Sequence, residues 1–538
     1  MGRRSETYRP RDPASVLDQV VRDHFETFRA HAAGLREGEG LPGFVDQEFR
    51  EFLRCGWLAG GFARLRCTRC RSERLVAFSC KGRGFCPSCG GRRMAEGAAH
   101  LVDHVLPDVP VRQWVLTLPQ RLRYRLAWDH DGCRAVSRLF VRAVFGFLRR
   151  RARDRGVTDG RGGAVVVLQR FGGALNLNVH LHALVLDGVF AREGGRLRFH
   201  PLPALATADV ADVLATIVPR VADWLARRGE SDEADQGADA WAEAAPVLAG
   251  LAAASVQGVA ALGRVAGTRA QRLGRIDAAS DAPGLAECQA RQEGFDLHAA
   301  VRVGAGRRER LERVCRYVLR PPVAQDRLAV TSAGRVRLAL RHMWSDGTTH
   351  LEFDPVAFLE RLAVLVPRPR VNLILYHGVL APRAAGRSDI VPRDVARPEG
   401  APPGARGTGG RRWAALMRRT FEFDVLACAQ CGGRLRLIAL IESGAISQRV
   451  LRHLGIPAEV PPARSARAPP LAYEPDDVFV RGPVESDSYA PLAERNVAAR
   501  QDQPEVWPRC CERSRAPRLV CRCGLPPAII RAVGEGRA

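Results

Sequence analysis

Two histidines separated by one residue, His180 and His182, stand in a run that is typical of a buried β-strand. Side chains two residues apart point to the same side of a strand, so Asn178 and both imidazoles share one face. A single histidine in a strand is more often a core residue, but two beside asparagines would be a costly way to fill a core. The pattern therefore predicts that His180 and His182 bind one metal ion.

The cysteines form a second candidate site. Cys67 and Cys70 make one CxxC pair, and Cys86 and Cys89 make another after fifteen intervening residues. Each pair forms a tight turn that presents two thiolates, and two turns at this spacing complete a tetrahedral zinc shell. The sequence predicts a structural Zn²⁺ bound by these four cysteines, with no open position for catalysis.

The segment between the cysteine pairs is basic and aromatic, and it contains Lys81 and Arg83. Such a segment suits contact with a phosphate backbone. The 538-residue chain has a formal net charge of +24, which favours a polyanionic partner, and nucleic acid is the commonest one in cells. A GC-rich coding sequence explains the preference for arginine over lysine, but it does not explain the net charge. We predict that Lys81 and Arg83 contact DNA.

Tyr317 lies in a third constellation, a basic amphipathic helix that begins near Leu311 and that two prolines end. Arg313 and Arg320 are four residues before and three after the tyrosine, so they share its helix face. They could hold a phosphate beside the hydroxyl group, with Arg316 as a further DNA contact. This arrangement suits a nucleophile in phosphoryl transfer, although most tyrosines serve only in packing.

The elements around these residues predict an α+β fold. Residues 111–118 and 164–169 are typical strands, and the histidine strand covers 176–186, while apolar residues recur at helical spacing over 133–151. This order of elements favours an antiparallel sheet with helices on one face.

Composition divides the chain into segments. We expect a helical and zinc-binding DNA-contact domain (15–105), a nuclease domain (110–385) with a helical insertion near 227–280, a basic linker (386–412), a small segment (413–460) and a disordered tail (461–538). The small segment holds a further pair, Cys428 and Cys431, and a second zinc there would need His453 or distant cysteines.

No signal peptide and no convincing membrane span are visible, which predicts a cytoplasmic protein associated with the bacterial nucleoid. In that reducing compartment, metal binding explains fifteen cysteines better than disulfides do.

Taken in order, these motifs resemble those of the rolling-circle transposases of the insertion-sequence-91 family, which belong to the HUH endonucleases. The resemblance covers about residues 15–385 and extends weakly to Cys428. It rests on the cysteine pairs, Val-Leu-Thr-Leu-Pro at 115–119, the histidine pair, Tyr317 with its Arg-Pro-Pro run, and Tyr-His-Gly-Val-Leu-Ala-Pro at 376–382.

The resemblance implies a reaction. In such an enzyme the histidine pair binds Mg²⁺ or Mn²⁺, which polarises a phosphate of single-stranded DNA at transposon ends or at the target. Tyr317 would attack that phosphate to form a 5′-phosphotyrosine, and no nucleotide cofactor is needed. Family enzymes add a third polar ligand, for which Gln169 on the preceding strand is the candidate. Because Arg313 occupies the position four before Tyr317, the chain resembles the single-tyrosine branch.

Three other interpretations stay open. A plasmid replication initiator or relaxase would use the same tyrosine and histidines. A zinc-dependent DNA-binding regulator would need only the zinc domain and the arginines, and it would leave DNA uncut. A metallohydrolase would use the histidine pair with water and release DNA without a covalent link.

Overall fold

In this computed structural model the chain forms two units. The histidine strand lies inside a sheet of the larger unit. The structure describes residues 15–35, 38–229, 239–275, 284–391, 418–419 and 424–467. Among these, the larger unit comprises the residues up to 53, those from 80 to 419, and 462–467, while the smaller unit comprises 54–79 and 424–461.

Helices and strands both contribute, so the α+β class predicted from the sequence is confirmed. The helices are α1 (Val16–Gly34), α2 (Gly43–Arg54), α3 (Pro87–His104), α4 (Gln120–Trp128), α5 (His130–Arg153), α6 (Thr207–Ala226), α7 (Ala240–Ala244), α8 (Pro246–Gln257), α9 (Arg308–Val318), α10 (Pro355–Leu365), α11 (Arg387–Ile390) and α12 (Gly444–His453). The strands are β1 (Phe62–Cys67), β2 (Glu73–Ala77), β3 (Val111–Thr117), β4 (Gly163–Phe171), β5 (Leu177–Leu186), β6 (Gly188–Glu193), β7 (Arg196–Pro201), β8 (Gln271–Gly274), β9 (Gln289–Gln292), β10 (Phe295–His298), β11 (Arg302–Val303), β12 (Leu328–Val330), β13 (Val336–Ala339), β14 (Thr348–Phe353), β15 (Ile374–Gly378) and β16 (Leu435–Ile441).

The principal sheet of the larger unit has seven strands in the order β15-β4-β5-β3-β10-β9, and β11 also pairs with β3. Every pairing is antiparallel. The strand β5 is therefore flanked by β3 and β4, and all ten of its residues are buried. This central position withdraws the histidines from bulk water.

Helices cover both faces of this sheet, so the expectation of helices on one face is wrong. On one face, Val165 and Leu184 pack with residues of α3 and α9 in a single core. On the other face, Leu168 and Val179 line a small space together with Leu126 of α4. Because alternate residues of β5 are apolar on one side and mixed on the other, each face needs its own cover.

The helix α9 carries Tyr317 in its last turn. Leu311, Cys315 and Val318 form its buried side, and the helix ends at Val318. Proline disfavours a helical conformation in the residue before it, so the following Pro321 helps to end the helix where the sequence predicted.

The expected helical insertion and linker each contain more structure than their composition suggests. After α7 and α8, the insertion adds strand β8, which joins a second sheet of order β12-β13-β14-β8. The first residues of the expected linker form α11, and Ile390 is buried in the same core as α9. The rest of that linker (392–412), and the expected tail from 468 onward, lie outside the described residues.

The smaller unit has a three-stranded sheet of order β16-β1-β2, together with α12. Its strand β16 comes from the C-terminal part of the chain and pairs antiparallel with β1, with Leu435 opposite Cys67. The unit is therefore built from two segments that are far apart in sequence.

A buried ion-pair group fixes one end of the principal sheet. The Asp187 carboxylate, just after β5, accepts hydrogen bonds from Arg112 Nε at 2.8 Å and from Arg302 Nε at 2.6 Å.

We expect Asp187→Asn to destabilise the protein by about 3–5 kcal/mol, because it leaves the buried Arg112 without a compensating charge. Glu193→Gln, which alters an exposed pair with Arg198, should cost about 1 kcal/mol or less. Urea denaturation followed by tryptophan fluorescence measures both, and equal effects would contradict the assignment.

Candidate active site and zinc sites

The antiparallel register brings the two histidines to one buried face. On β5, His180 pairs with Thr117 of β3 on one side and with Gln169 of β4 on the other. The His180 and His182 ring centroids are 4.8 Å apart, and the two residues are 2% and 0% exposed. The shared face predicted from the alternating pattern is therefore present.

The surroundings of the histidines leave their Nε2 atoms suited to binding a cation. His180 Nδ1 lies 2.9 Å from the Asn178 carbonyl oxygen, and a carbonyl can only accept, so Nδ1 carries the proton and Nε2 the lone pair. His182 Nδ1 contacts the side-chain amide of Gln113 at 2.9 Å. The two ends of an amide are interchangeable in such a contact, so the Gln113 oxygen can accept from His182 Nδ1.

His182 is held in its neutral form. Burial lowers the pKa of His182 well below its ordinary value of 6.5, and the charges of His180 and Arg320 lower it further. Its Nε2 atom is buried and has no hydrogen-bond partner in the part of the chain that the structure describes. A neutral imidazole with an available nitrogen is the form that binds a metal.

Gln169 connects this face to the helix that carries the tyrosine. Its Nε2 donates to the Val318 carbonyl oxygen at 2.7 Å and lies 3.4 Å from that of Tyr317. Its Oε1 is buried and has no hydrogen-bond partner within the described ranges. Gln169 pairs with His180 across the strands, so a buried oxygen that could accept a hydrogen bond or a cation belongs to the residue beside the histidine.

The tyrosine stands beside the histidines. The Tyr317 and His182 ring centroids are 6.0 Å apart with the rings nearly perpendicular, at 89°. The Arg320 guanidinium lies 4.1 Å from the centroid of the tyrosine ring. Of the other basic residues predicted near it, Arg313 is exposed and Arg316 is half-buried.

Sequence reasoning missed the positive charges that the second sheet adds. Arg341, just after β13, places its guanidinium 5.5 Å from the centroid of the Tyr317 ring. Burial lowers the pKa of His342, and the charges of Arg341, Arg327 and Arg320 lower it further. The only signal in the sequence was the adjacent Arg341 and His342, because the contact of Arg341 with Tyr317 is not visible in local patterns.

The four cysteines predicted to share one zinc ion are not together, so that prediction is wrong. In the larger unit, the sulfur atoms of Cys80, Cys86 and Cys89 lie within 4.8 Å of one another. In the smaller unit, those of Cys67 and Cys70 group instead with Cys428 and Cys431. The cause is the β1–β16 pairing, which places a distant cysteine pair beside the first one.

The predicted DNA contacts adjoin the cysteines of the larger unit. Lys81 is exposed, and its carbonyl oxygen accepts from Arg93 Nη2. Arg83 is also exposed, but its Nη2 donates to the Val371 carbonyl oxygen at 2.6 Å. One Nη group of Arg83 therefore already donates a hydrogen bond within the protein.

Two family models match the chain. Residues 163–388 match a family model described as "Putative transposase", and residues 20–118 match one described as "Transposase zinc-binding domain". The first match contains both histidines, Gln169 and Tyr317, and the second contains the cysteines from 55 to 89. No curated protein and no solved structure matches the chain.

A transposase with a structural zinc-binding domain is the class that these matches and the clustered cysteines define. The chain belongs to the insertion-sequence-91 family of transposases. Among its described helices, none is long and apolar enough to cross a membrane.

The environment of His182 predicts its titration. In metal-free protein, we expect His182 to stay neutral as the pH falls through 6.5, because burial and nearby charge oppose protonation. The unfolded chain binds that proton and the folded chain does not, so His182 should make stability rise with pH up to about 6.5. Nitrogen NMR of labelled histidines, assigned with His182→Gln, measures this, and protonation at or above pH 6.5 would contradict it.

Proposed function

We propose that this transposase nicks and rejoins single-stranded DNA at transposon ends through a covalent bond between Tyr317 and a 5′ phosphate, as in rolling-circle transposition. The observation that carries the proposal is the position of the Tyr317 ring, 6.0 Å from that of His182. The ring that would carry the nucleophilic hydroxyl thus lies beside one proposed ligand of the cation and beside two guanidinium groups.

His180, His182 and Gln169 would hold the divalent ion. The residues fit such an ion because two buried atoms, His182 Nε2 and Gln169 Oε1, otherwise lack hydrogen bonds among the described residues. When bound, the ion supplies electrophilic polarisation of the scissile phosphate. Two imidazole nitrogens with one amide oxygen suit Mn²⁺ better than Mg²⁺, which prefers a shell of oxygen atoms.

The chain's own residues account for the transfer. Tyr317 Oη forms a bond to phosphorus while the bond between phosphorus and the 3′ oxygen breaks. The tyrosine proton passes to solvent, and the departing 3′ oxygen takes up a proton to become a hydroxyl group. Arg320 and Arg341 offset the charge that develops on the phosphate. The phosphotyrosine keeps the energy of the phosphodiester, so attack by a 3′-hydroxyl rejoins strands without a nucleotide cofactor.

DNA outside the reacting phosphate would contact the basic surface, with Lys81, Arg83 and Arg316 as the predicted residues. Contacts to phosphates position a strand without reading its sequence. The net charge of +24 supports such binding, which should weaken as salt rises. A DNA substrate of this kind also agrees with a cytoplasmic, nucleoid-associated enzyme.

The structural zinc of the larger unit would be bound by Cys80, Cys86 and Cys89. The helix α2 packs against the loop that carries these cysteines, because Glu48 accepts from Gly84 N at 2.8 Å. Farther along α2, Phe52 packs on Phe85, with ring centroids 5.2 Å apart.

The single tyrosine limits the cycle. Arg313 stands where a second tyrosine would lie one helical turn before Tyr317. A second strand transfer would then use a 3′-hydroxyl, a second protomer, or Tyr317 again after release.

Covalent capture tests the proposal. Purified protein is incubated with labelled single-stranded DNA from the element's own ends and Mn²⁺, then separated by denaturing electrophoresis. We expect a protein–DNA adduct that Tyr317→Phe abolishes, because no other group takes over the nucleophilic attack. Tyr376→Phe, which changes a half-buried tyrosine of β15 in the same sheet, should keep the adduct.

The other outcomes separate the alternatives. Cleavage without an adduct would favour a metallohydrolase, and binding without cleavage would favour a DNA-binding regulator. An adduct formed equally well by Tyr317→Phe would exclude the proposed nucleophile.

The contact between Gln113 and His182 generates a second test. We expect Gln113→Leu to weaken Mn²⁺ binding by about 10–100-fold, because an outer partner fixes the orientation of a ligating imidazole. Calorimetric titration of the protein with MnCl₂ measures the affinity. Gln292→Leu, on the edge strand β9 of the same sheet, is the matched control and should bind normally. Unchanged affinity in Gln113→Leu, with thermal stability retained, would remove Gln113 from the site.

A further inference from the structure

We propose that a second structural zinc ion closes the smaller unit, bound by Cys67, Cys70, Cys428 and Cys431. The contacting cysteines are separated by 364 residues in one pair and by 358 in the other. The family match to a zinc-binding domain ends at residue 118, so it contains only two of these four ligands.

The sulfur positions are those of a ligand shell. Cys67 Sγ lies 3.6 Å from Cys431 Sγ, and Cys70 Sγ lies 3.6 Å from Cys428 Sγ. A tetrahedron with Zn–S bonds of about 2.3 Å has sulfur atoms roughly 3.8 Å apart. A disulfide would require about 2.05 Å. Both contacts therefore agree with thiolates around one zinc ion.

Hydrogen-bond donors surround these sulfur atoms. Arg69 N donates to Cys67 Sγ at 3.4 Å, and Gly433 N donates to Cys431 Sγ at 3.4 Å. The Ser72 hydroxyl lies 3.1 Å from Cys70 Sγ and 3.2 Å from Cys428 Sγ. Donors directed at sulfur stabilise the thiolate form that zinc binds.

The backbone of both segments shapes the site. Thr68 N donates to the Arg434 carbonyl oxygen at 2.9 Å, which joins the two cysteine turns side by side. At Gly433, a Cβ atom would lie 3.1 Å from Cys67 Sγ and 3.2 Å from Cys431 Sγ. Glycine thus allows the second turn to approach the first cysteine closely.

The smaller unit has little apolar core to replace a metal. Among its described residues, the cluster around the cysteines consists of Leu65 and Leu435 with Cys67 and Cys428, and the other buried apolar side chains are few, namely Phe62, Val425 and Leu451. Small folds with so few buried side chains usually need a metal or a disulfide to be stable. In this unit the metal would occupy the position of the core.

Zinc content tests the proposal on the full-length protein. We expect two zinc ions per chain by inductively coupled plasma mass spectrometry, and one fewer in Cys428→Ser. The matched control is Cys288→Ser, because Cys288 Sγ donates to the Leu205 carbonyl oxygen, as a serine hydroxyl can, and lies outside both cysteine groups. It should keep two ions. A single ion in the wild type that Cys428→Ser leaves unchanged would overturn the proposal.

Thiol reactivity decides the matter if Cys428→Ser fails to fold. Cys70 is exposed, so N-ethylmaleimide should modify it readily unless zinc protects the sulfur. In the wild-type protein, we expect chelation of zinc to accelerate modification of Cys70 at least tenfold, as measured by peptide mass spectrometry. Equal rates with and without the chelator would overturn the second zinc site.

Discussion

The side-chain amide of Gln169 joins the two halves of the candidate active site. Its nitrogen donates to the carbonyl oxygen of Val318, which ties the last turn of α9 to the centre of the principal sheet. Its oxygen is buried without a hydrogen-bond partner among the described residues, and Gln169 itself pairs with His180 across the strands. Because an amide is planar and rigid, the hydrogen bond that ties α9 to the sheet also fixes the direction of the Gln169 oxygen.

Because both faces of the sheet are buried, a polar atom there that lacks a hydrogen bond raises the free energy of the folded protein. Buried polar atoms without partners are rare, since each costs roughly 1–3 kcal/mol. Here two such atoms, His182 Nε2 and Gln169 Oε1, belong to neighbouring strands of one sheet. A cation bound as proposed would satisfy both atoms.

Local patterns predicted the local geometry around the histidines and the tyrosine. Strand alternation placed His180 and His182 on one face, and the prolines after Tyr317 marked the end of its helix, because both features depend on neighbouring residues only. The position of the Arg341 guanidinium beside the Tyr317 ring was not predictable, since the two residues come together only in the tertiary structure. The helices on the second face were missed for the same reason, because the apolar residues of β5 do not show what covers them.

The two cysteine groups show why the spacing of cysteines in the sequence does not by itself identify which of them lie together. The pairs Cys67–Cys70 and Cys86–Cys89 match the spacing of a single four-cysteine zinc site. In the structure, however, Cys67 lies opposite Leu435 and thus beside Cys428 and Cys431.

The entropy of closing a loop grows only with the logarithm of its length, by about 0.6 kcal/mol per doubling. From fifteen intervening residues to a separation of 358 there are fewer than five doublings, or about 3 kcal/mol. Structural zinc in small domains contributes about 10–16 kcal/mol at neutral pH. Closeness in sequence is therefore a weak constraint on which thiolates could share an ion. The pairing of β1 with β16 determines which cysteines lie together.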